Sequence, residues 1–197
     1  SRRNPYFEHA QAQYFVAYRE RRPVGRISAQ IDRLAQPGDE PTLGHFGCLE
    51  AVDAEAMATL LDAAEAWLAD RGITEVLGPF SLSINDEVGL LVHGFDRRAR
   101  MLMNYAPAWY GDALENLGYR KAKDLLAYRI DVAAPLPDAA RRLADHAAGT
   151  EGITERPMAP SRFREELRTV VDVFNDAWAE NWGFVPMTPA EAGQLAD

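Results

Sequence analysis

Alternating apolar and polar positions dominate the first quarter of the chain. Residues 13–19 are aromatic and β-branched, and residues 24–31 repeat this character after a charged turn at 20–23. This pattern predicts a β-hairpin. A loop rich in proline, glycine and acids (residues 33–42) separates the hairpin from a predicted central strand at 43–51.

After residue 53 the repeat of apolar positions along the sequence changes from about two residues, typical of a strand, to about 3.6, typical of a helix. Asp53 is a suitable N-cap, and Gly72 supplies a left-handed stop. The apolar positions between them share one face of the predicted helix: Met57, Leu60, Leu61, Ala64, Trp67 and Leu68. Residues 73–77 then predict a short strand. A strand, a helix and a strand in this order form a parallel crossover unit, which is right-handed almost always.

The middle of the chain gives a mixed pattern. Residues 81–95 predict a loop and then a short helix near 86–91, and residues 100–104 predict a strand. Pro107 suits a helix start, and Gly118 ends that helix. Residues 119–131 predict a long returning strand.

The last third is predicted to be mainly helical. Residues 133–137 form a proline-broken linker, followed by a helix at 138–148 and a strand at 152–158. A helical stripe comes next, and Thr188 to Glu191 form a capping box with proline at the first helical position. The stripe consists of Phe163, Leu167, Val170, Val171, Phe174 and Trp178.

Composition narrows the classes of partner. The net charge of −9 argues against nucleic-acid and anionic-membrane surfaces, because both require a basic patch. No apolar run approaches the ~18–20 residues of a membrane span. The single cysteine, Cys48, excludes an internal disulfide and fits the cytoplasm. We therefore expect a cytoplasmic protein with no nucleic-acid or membrane partner.

Two segments carry a family resemblance. Residues 50–79 read EAVDAEAMATLLDAAEAWLADRGITEVLGP, and residues 106–124 read APAWYGDALENLGYRKAKD. Together they resemble the core of the GNAT superfamily of acyl-CoA-dependent N-acyltransferases. The resemblance implies an α/β fold with a mixed, twisted sheet flanked by helices. It also implies transfer of an acyl group from acetyl-CoA or another acyl-CoA to an amine, on a small molecule or a peptide.

The resemblance places coenzyme A at the start of the long helix. In this family a glycine-rich turn there holds the pyrophosphate, whereas residues 52–56 (VDAEA) contain no glycine and no basic residue. The two acids either repel the phosphates or simply cap the helix and complement its dipole, and the second interpretation is favoured. By resemblance, the cofactor contacts are Leu49, Ala51, Asp53, Ala54 and Asn85.

The resemblance also suggests catalytic residues. Trp109-Tyr110 before Leu117-Gly118-Tyr119 matches a family segment whose tyrosine protonates the leaving thiolate, and the alternative is that Tyr110 only packs on the apolar face. A phenol with a pKa near ~10 is protonated at neutral pH, which suits an acid. Glu50 is the predicted general base, or else an acid paired or half-exposed on its strand.

The densest polar cluster follows the strand at 73–77. Ser81, Ser83 and Asp86 are predicted substrate contacts there, since α/β sheets bind ligands beyond the carboxyl ends of parallel strands. Alternatively, Ser83 or Asn85 caps a short helix. No histidine, cysteine and acid positions have metal-ligand spacing, so no metal site is expected.

The pattern predicts three parts: residues 1–131 as a GNAT-like domain lacking its opening elements, 132–151 as a linker and short helix, and 152–197 as the start of a second, truncated GNAT-like unit. The chain is accordingly expected to be a fragment of a tandem protein, and a homodimer is a further expectation. The rival functional class is a non-catalytic GNAT-like binding or scaffold domain with a degenerate coenzyme A site.

Overall fold

The predicted hairpin is present and forms one edge of the sheet. In the computed structural model, which describes residues 4–150, 152 and 156–195, β1 is Ala10–Arg19 and β2 is Arg22–Asp32. The two strands are antiparallel and joined by Glu20 and Arg21, whose φ values are 48° and 67°. Left-handed values at both turn positions match the right-handed twist of the flanking strands.

A mixed sheet grows from this hairpin. β3 (Leu43–Ala51) pairs antiparallel with β2, and β4 (Glu75–Leu77) pairs parallel with β3. Among the described residues, four strands lie in the order β1-β2-β3-β4. Helices flank the sheet, so the predicted α/β class with a mixed sheet is confirmed.

A bulge interrupts β3 in the middle of the sheet. The register passes from Ser28–Gly47 to Arg26–Glu50, so β3 carries one extra residue there, and Cys48 has a φ of 48°. An extra residue changes which side chains point to each face of the sheet. As a result Leu49 and Ala51 pack on the core while Glu50 is exposed.

The long helix α1 (Ala54–Ala69) forms as predicted and covers one face of the sheet. The Asp53 side chain accepts the Ala56 N–H at 2.9 Å, and Gly72 has a φ of 82°. Full burial of each large apolar side chain contributes about 1.5–3 kcal/mol. The core combines this helix with the sheet: Met57, Leu60, Leu61, Ala64 and Leu68 meet Ile27, Ala29, Ile31 and Phe46.

The second helix, α2 (Tyr110–Asn116), begins three residues after the predicted start at Pro107. The Tyr110 N–H donates to the Pro107 carbonyl at 3.1 Å, so a turn precedes the helix. Tyr110, Ala113 and Leu114 are buried in the core. This short helix therefore anchors a long irregular region to the sheet.

Two predicted elements in the middle region were wrong. No helix forms near residues 86–91, because the segment folds back on itself: Ser81 N–H donates to Glu87 O and Gly89 N–H to Pro79 O, both at 2.8 Å. No strand forms at 100–104, where Leu102 adopts a φ of 57° within a turn. In each case, hydrogen bonds between residues close in sequence form a loop or turn where a helix or strand was predicted.

The strand predicted at 119–131 was also wrong. These residues are irregular, and the alternating apolar side chains of Leu126, Tyr128 and Ile130 are 73%, 81% and 81% exposed. An alternating pattern specifies a strand only where another strand pairs with it. None of the described residues pairs with this segment.

The remaining helices follow the prediction closely. They are α3 (Asp138–Ala148), α4 (Phe163–Trp178) and α5 (Pro189–Leu195). The capping box of α5 is formed, since Glu191 N–H donates to Thr188 Oγ1 at 3.2 Å and Thr188 N–H to Glu191 Oε2 at 2.8 Å. Of the strand predicted at 152–158, residues 152 and 156–158 are not in a strand, and 153–155 lie outside the described residues.

The predicted division of the chain into residues 1–131, 132–151 and 152–197 stays a prediction.

Across the described ranges, none of the helices is long and apolar enough to cross a membrane.

Candidate functional site

The turn from β3 into α1 is held by an ion-pair cluster. Arg19 donates to both Asp53 oxygens, at 2.8 and 3.2 Å, and to Glu55 at 2.9 Å. The hydrogen bonds from Arg19, and then from the Ala56 amide, lower the pKa of Asp53 to about 2. Asp53 therefore caps the helix as an anion, as the favoured interpretation predicted.

This arrangement does not fit a pyrophosphate. An anion site at a helix start needs free N–H groups and no competing negative charge. Here Asp53 already occupies the Ala56 N–H, and the Arg19 cation is already shared between Asp53 and Glu55. The turn that the resemblance assigned to the cofactor is occupied by the protein's own charges.

Tyr110 lies against the end of β3. Its oxygen accepts the Ala51 N–H at 2.7 Å, and its hydroxyl donates to the Ala51 carbonyl at 3.2 Å. Only 1% of the side chain is exposed. Burial raises the pKa of Tyr110, and the nearby Glu50 carboxylate adds to this, so the phenol is protonated. The structure thus brings Tyr110 and Ala51 together through a structural contact, and the acid role of Tyr110 stays a prediction.

Glu50 lies on the face of the sheet opposite the side chains that α1 covers. It pairs in register with Arg26, and both side chains are exposed. An open groove of about 370 Å³ begins here, and its remaining lining is mainly apolar: Val16, Pro23, Val24, Gly25, Ala51 and Val52. The groove therefore places the Glu50 carboxylate and the Arg26 guanidinium beside apolar walls.

The segment after β4 crosses this same face of the sheet. Phe80 N–H donates to the Phe46 carbonyl at 2.7 Å, and a Cβ on Gly47 would overlap the Phe80 carbonyl. Gln30 Nε2 donates to the Phe80 and Leu82 carbonyls at 2.6 and 3.3 Å. Glycine at position 47 is what allows the crossing chain to lie directly on β3.

The polar side chains predicted to bind substrate shape this crossing segment, and their role in substrate binding stays a prediction. Ser81 Oγ accepts the Cys48 N–H at 3.3 Å, and Ser83 Oγ accepts the Asn85 N–H at 2.9 Å. Asp86 accepts the Ser83 N–H at 3.3 Å, and burial raises the pKa of Asp86. The Asn85 amide donates to the Val185 carbonyl at 3.0 Å. The structure therefore gathers Ser81, Ser83, Asn85 and Asp86 into one well-bonded segment.

A partly enclosed cavity of about 60 Å³ lies beside that segment. We call it the sheet cavity. Its polar lining consists of Asp32, His45 and Ser83, and its apolar walls come from two separate parts of the chain: Ala35, Leu43, Leu77, Phe80, Leu82 and Ile84 on one side, Phe184 and Val185 on the other. The contact between Asn85 and Val185 joins those two parts.

A buried histidine and two carboxylates form a network at the edge of the sheet cavity. His9 Nδ1 lies 2.8 Å from Asp32 Oδ1, and His9 Nε2 lies 3.3 Å from Glu191 Oε1. His9 and Asp32 are 7% and 2% exposed. Glu191 also completes the capping box of α5, so this network connects α5 to the residue before β1 and to the last residue of β2.

His45 is the second buried histidine at this site. It is 5% exposed, and its Nδ1 has no hydrogen-bond partner among the described residues. Burial lowers the pKa of His45 to about 4, against an opposing effect of Asp32. His45 is therefore a neutral imidazole with an unused polar atom beside a cavity.

The sequence prediction did not assign His9, Asp32, His45 or Glu191 to a functional site. One signal was available on β2, where the polar residues Ser28, Gln30 and Asp32 alternate with Ile27, Ala29 and Ile31. Polar residues at alternate positions form one face of a strand. All three of these polar residues are buried, so the polar face of β2 is covered by other parts of the chain.

Comparisons with known proteins find two relatives that match all or nearly all of this chain. The chain is 47% identical, over 195 residues and 98% of its length, to "Bacterial ceramide synthase" of Caulobacter vibrioides. It is 40% identical, over 201 residues and its whole length, to "Protein YghO" of Escherichia coli. The chain spans about half the length of these curated relatives, 50% in each case. No family model matches it, and no solved structure gives a significant match.

Neither name refers to GNAT, so the resemblance described above stays a prediction.

Proposed function

We propose that this chain is part of an acyltransferase that forms an amide on the amine of a long-chain amino alcohol. The observation that carries the proposal is the 47% identity to a bacterial ceramide synthase over 98% of the chain. A ceramide is the amide of a fatty acid and a long-chain amino alcohol, so a synthase of that kind joins an acyl group to an amine nitrogen. A cytoplasmic location is part of the same proposal.

The surface opposite α1 supports an amphiphilic amine as the acceptor. The open groove combines the Glu50 carboxylate, with Arg26 beside it, and apolar walls that suit hydrocarbon. The sheet cavity nearby supplies further carboxylate and imidazole groups. The net charge of −9 favours a cationic acceptor over an anionic one.

Amide formation requires that the amine be neutral when it attacks the acyl carbonyl carbon. A nearby base must take one proton from the nitrogen. Glu50 is our proposed base, because it is exposed at the groove and on the sheet face that carries both sites. Tyr110 can donate a proton only after its hydroxyl leaves the Ala51 carbonyl, so its assignment as an acid remains secondary.

The acyl donor we propose is an acyl-CoA, by the GNAT resemblance. The start of α1 does not fit its pyrophosphate, because Asp53 and Glu55 hold Arg19 there. We therefore assign acceptor binding to this half of the enzyme. The phosphates of the donor would be held outside the turn at residues 52–56.

The test is an acyl-transfer assay on the full-length natural protein. Palmitoyl-CoA and acetyl-CoA are offered with a long-chain 2-amino-1,3-diol, an n-alkylamine of equal chain length, and a lysine-containing peptide, and amide products are measured by mass spectrometry. We expect the amino diol to be acylated fastest. Glu50→Gln should lower the rate at least about tenfold, a typical lower range for loss of a general base. Glu75→Gln, at an exposed glutamate of β4, is the matched control.

A second candidate is a non-catalytic binding or scaffold half. The ion pairs of Arg19 and the Tyr110–Ala51 contact favour it, because they occupy the positions where the resemblance puts the cofactor. In that case the full-length protein would still acylate the amine, whereas Glu50→Gln and Tyr110→Phe would leave its rate constant unchanged. Absence of amide product with every donor and acceptor would contradict the acyltransferase proposal itself.

A further inference from the structure

One long internal stretch of the chain contributes nothing to the core. From Arg120 to Ala148 no residue is buried, and only Ala140 and Ala147 are partly so. We call residues 120–148 the arm. It consists of an irregular segment followed by α3. Both parts carry large apolar side chains, and a folded protein rarely leaves a contiguous apolar surface uncovered.

The apolar side chains of the irregular segment recur at every second position. They are Leu126, Tyr128, Ile130 and Val132, and each is between 73% and 96% exposed. The positions between them hold alanine, arginine and aspartate. Alternate side chains of an extended backbone point to the same side, so the segment has one apolar side and one more polar side. That division suits a chain that lies against an apolar surface.

The helix of the arm also has no partner among the described residues. α3 is 11 residues long and contains no buried residue. Its Leu143 is 70% exposed, and Leu136 just before the helix is 60% exposed. An isolated helix of this length is marginal in water, and most helical stability in proteins comes from packing. A surface that covers Leu143 would therefore stabilise α3.

Both ends of the arm are attached to the folded core. On one side the Tyr119 ring packs edge-on against Phe46 of β3, and its hydroxyl donates to Glu65 at 2.6 Å. On the other side α4 packs with α5, whose Glu191 lies 3.3 Å from the buried His9. The arm is therefore a loop of fixed origin, and its apolar side chains are presented close to the sheet.

The lengths of the relatives indicate what covers the arm. This chain matches 50% of each curated relative. A natural protein as long as these has about as many residues again beyond the stretch that they share with this chain. A surface on the same polypeptide is present at about millimolar effective concentration when the connection is short and flexible. A second copy of the protein must instead reach the arm from solution.

We propose that the arm is an internal docking surface. In the full-length protein, Leu126, Tyr128, Ile130 and Leu143 are buried against the half that lies outside these 197 residues. That half presents an apolar surface to them, which must extend about 20 Å to cover positions 126–132 of an extended chain. The inference goes beyond the proposed function and does not depend on it, because none of these side chains lines the groove at Glu50.

Photo-cross-linking in the full-length natural protein tests the proposal. Tyr128 is replaced by p-benzoylphenylalanine, and cross-linked peptides are identified by mass spectrometry in an equal mixture of isotopically light and heavy protein. We expect Tyr128 to cross-link to a peptide from the other half of the same polypeptide. Tyr18, 66% exposed on β1, carries the same probe as the control for chance encounters.

Three results of this experiment would overturn the proposal. Cross-links between light and heavy chains would show that a second copy covers the arm. Cross-links confined to residues 1–197, or none, would show that the other half does not. A yield to the other half no higher from Tyr128 than from Tyr18 would show that the arm is only as close as any exposed tyrosine.

Two neighbouring substitutions provide an independent measurement on the same protein. Ile130 and Arg129 are both exposed here and lie on opposite sides of an extended segment, so only docking distinguishes them. Ile130→Ser should lower the urea midpoint of the full-length protein by about 0.5–1 M, as expected for loss of a buried isoleucine. Arg129→Ser should lower it by less than about 0.2 M. Equal midpoints for the two variants would overturn the proposal, and neither measurement depends on acyl transfer.

Discussion

The hydroxyl of Tyr110 contacts both backbone groups of Ala51. The oxygen accepts the Ala51 N–H at 2.7 Å and the hydroxyl donates to the Ala51 carbonyl at 3.2 Å. One phenol therefore bonds both backbone groups of the last residue of β3, beyond the point where the pairing of β3 with β4 ends at His45 and Leu77. The contact attaches α2 to the sheet, and any ligand that needs the backbone of Ala51 must first displace Tyr110.

Removing this hydroxyl should destabilise the fold. In Tyr110→Phe the N–H and carbonyl of Ala51 lose their partner in a partly buried position, and we expect a loss of about 1–3 kcal/mol in the free energy of unfolding. Urea denaturation measures the effect. Tyr128→Phe, at a tyrosine that is 81% exposed, should change stability by less than about 0.5 kcal/mol. An unchanged stability in Tyr110→Phe would mean that the hydroxyl does not carry this contact in solution.

The Arg19–Asp53 pair makes a prediction about pH. Arg19 and the Ala56 amide hold the pKa of Asp53 at about 2, below the ordinary value. Because the folded-state pKa is depressed, Asp53 stabilises the fold at pH values above its ordinary pKa, and this contribution is lost as the pH falls toward about 2. In Arg19→Gln the pKa of Asp53 should rise, although not fully, since the Ala56 N–H still donates to it.

Carboxyl resonances followed by NMR during an acid titration would measure this pKa directly. Arg22→Gln, an exposed arginine in the same hairpin, is the control and should leave Asp53 unchanged. If the Asp53 pKa is the same in Arg19→Gln as in the wild type, Arg19 does not hold the turn in solution. The turn would then be free of its cation, and only the two carboxylates would oppose a phosphate there.

Elements specified by local signals were predicted well from the sequence. The hairpin, α1 with its Asp53 cap, α3 and the capping box at Thr188–Glu191 each depend on residues a few positions apart. Hydrophobic period and capping chemistry act over that same distance, which is why they succeed. The bounds of β3 were also predicted, although its bulge at Cys48 was not.

Elements that depend on distant partners were predicted poorly. The alternation at 119–131 resembles a strand, yet no described strand lies beside it. The segment at 81–86 is fixed by Gln30 and Val185, which are remote in sequence, and the sheet cavity brings together Asp32, His45 and Phe184. The spacing of residues along one sequence does not reveal such long-range contacts. The buried polar groups around His45 were therefore found only in the structure.

Gly47 makes a prediction about the crossing segment. A Cβ at this position would overlap the Phe80 carbonyl, which is backbone and cannot rotate away. Gly47→Ala should therefore shift the segment off the sheet and cost about 3 kcal/mol or more in stability, at the upper end for an overpacked site. Gly38→Ala, where nothing lies within 4 Å of the added carbon, is the matched control for denaturation. Equal stabilities of the two variants would show that the segment does not lie on Gly47.

His45 makes the last prediction, because its burial couples protonation to folding. Burial lowers its pKa to about 4 in the folded state, whereas an unfolded histidine titrates near ~6.5. Between these values the unfolded chain binds a proton that the folded chain does not, so stability should fall as the pH falls from about 6.5 to about 4. A shift of this size corresponds to about 3 kcal/mol in total.

Denaturation at a series of pH values in wild type and His45→Leu isolates the contribution of His45, since the leucine variant should lack that dependence of stability on pH. His93→Leu should keep it, and a slope that persists in His45→Leu would assign the effect to other groups.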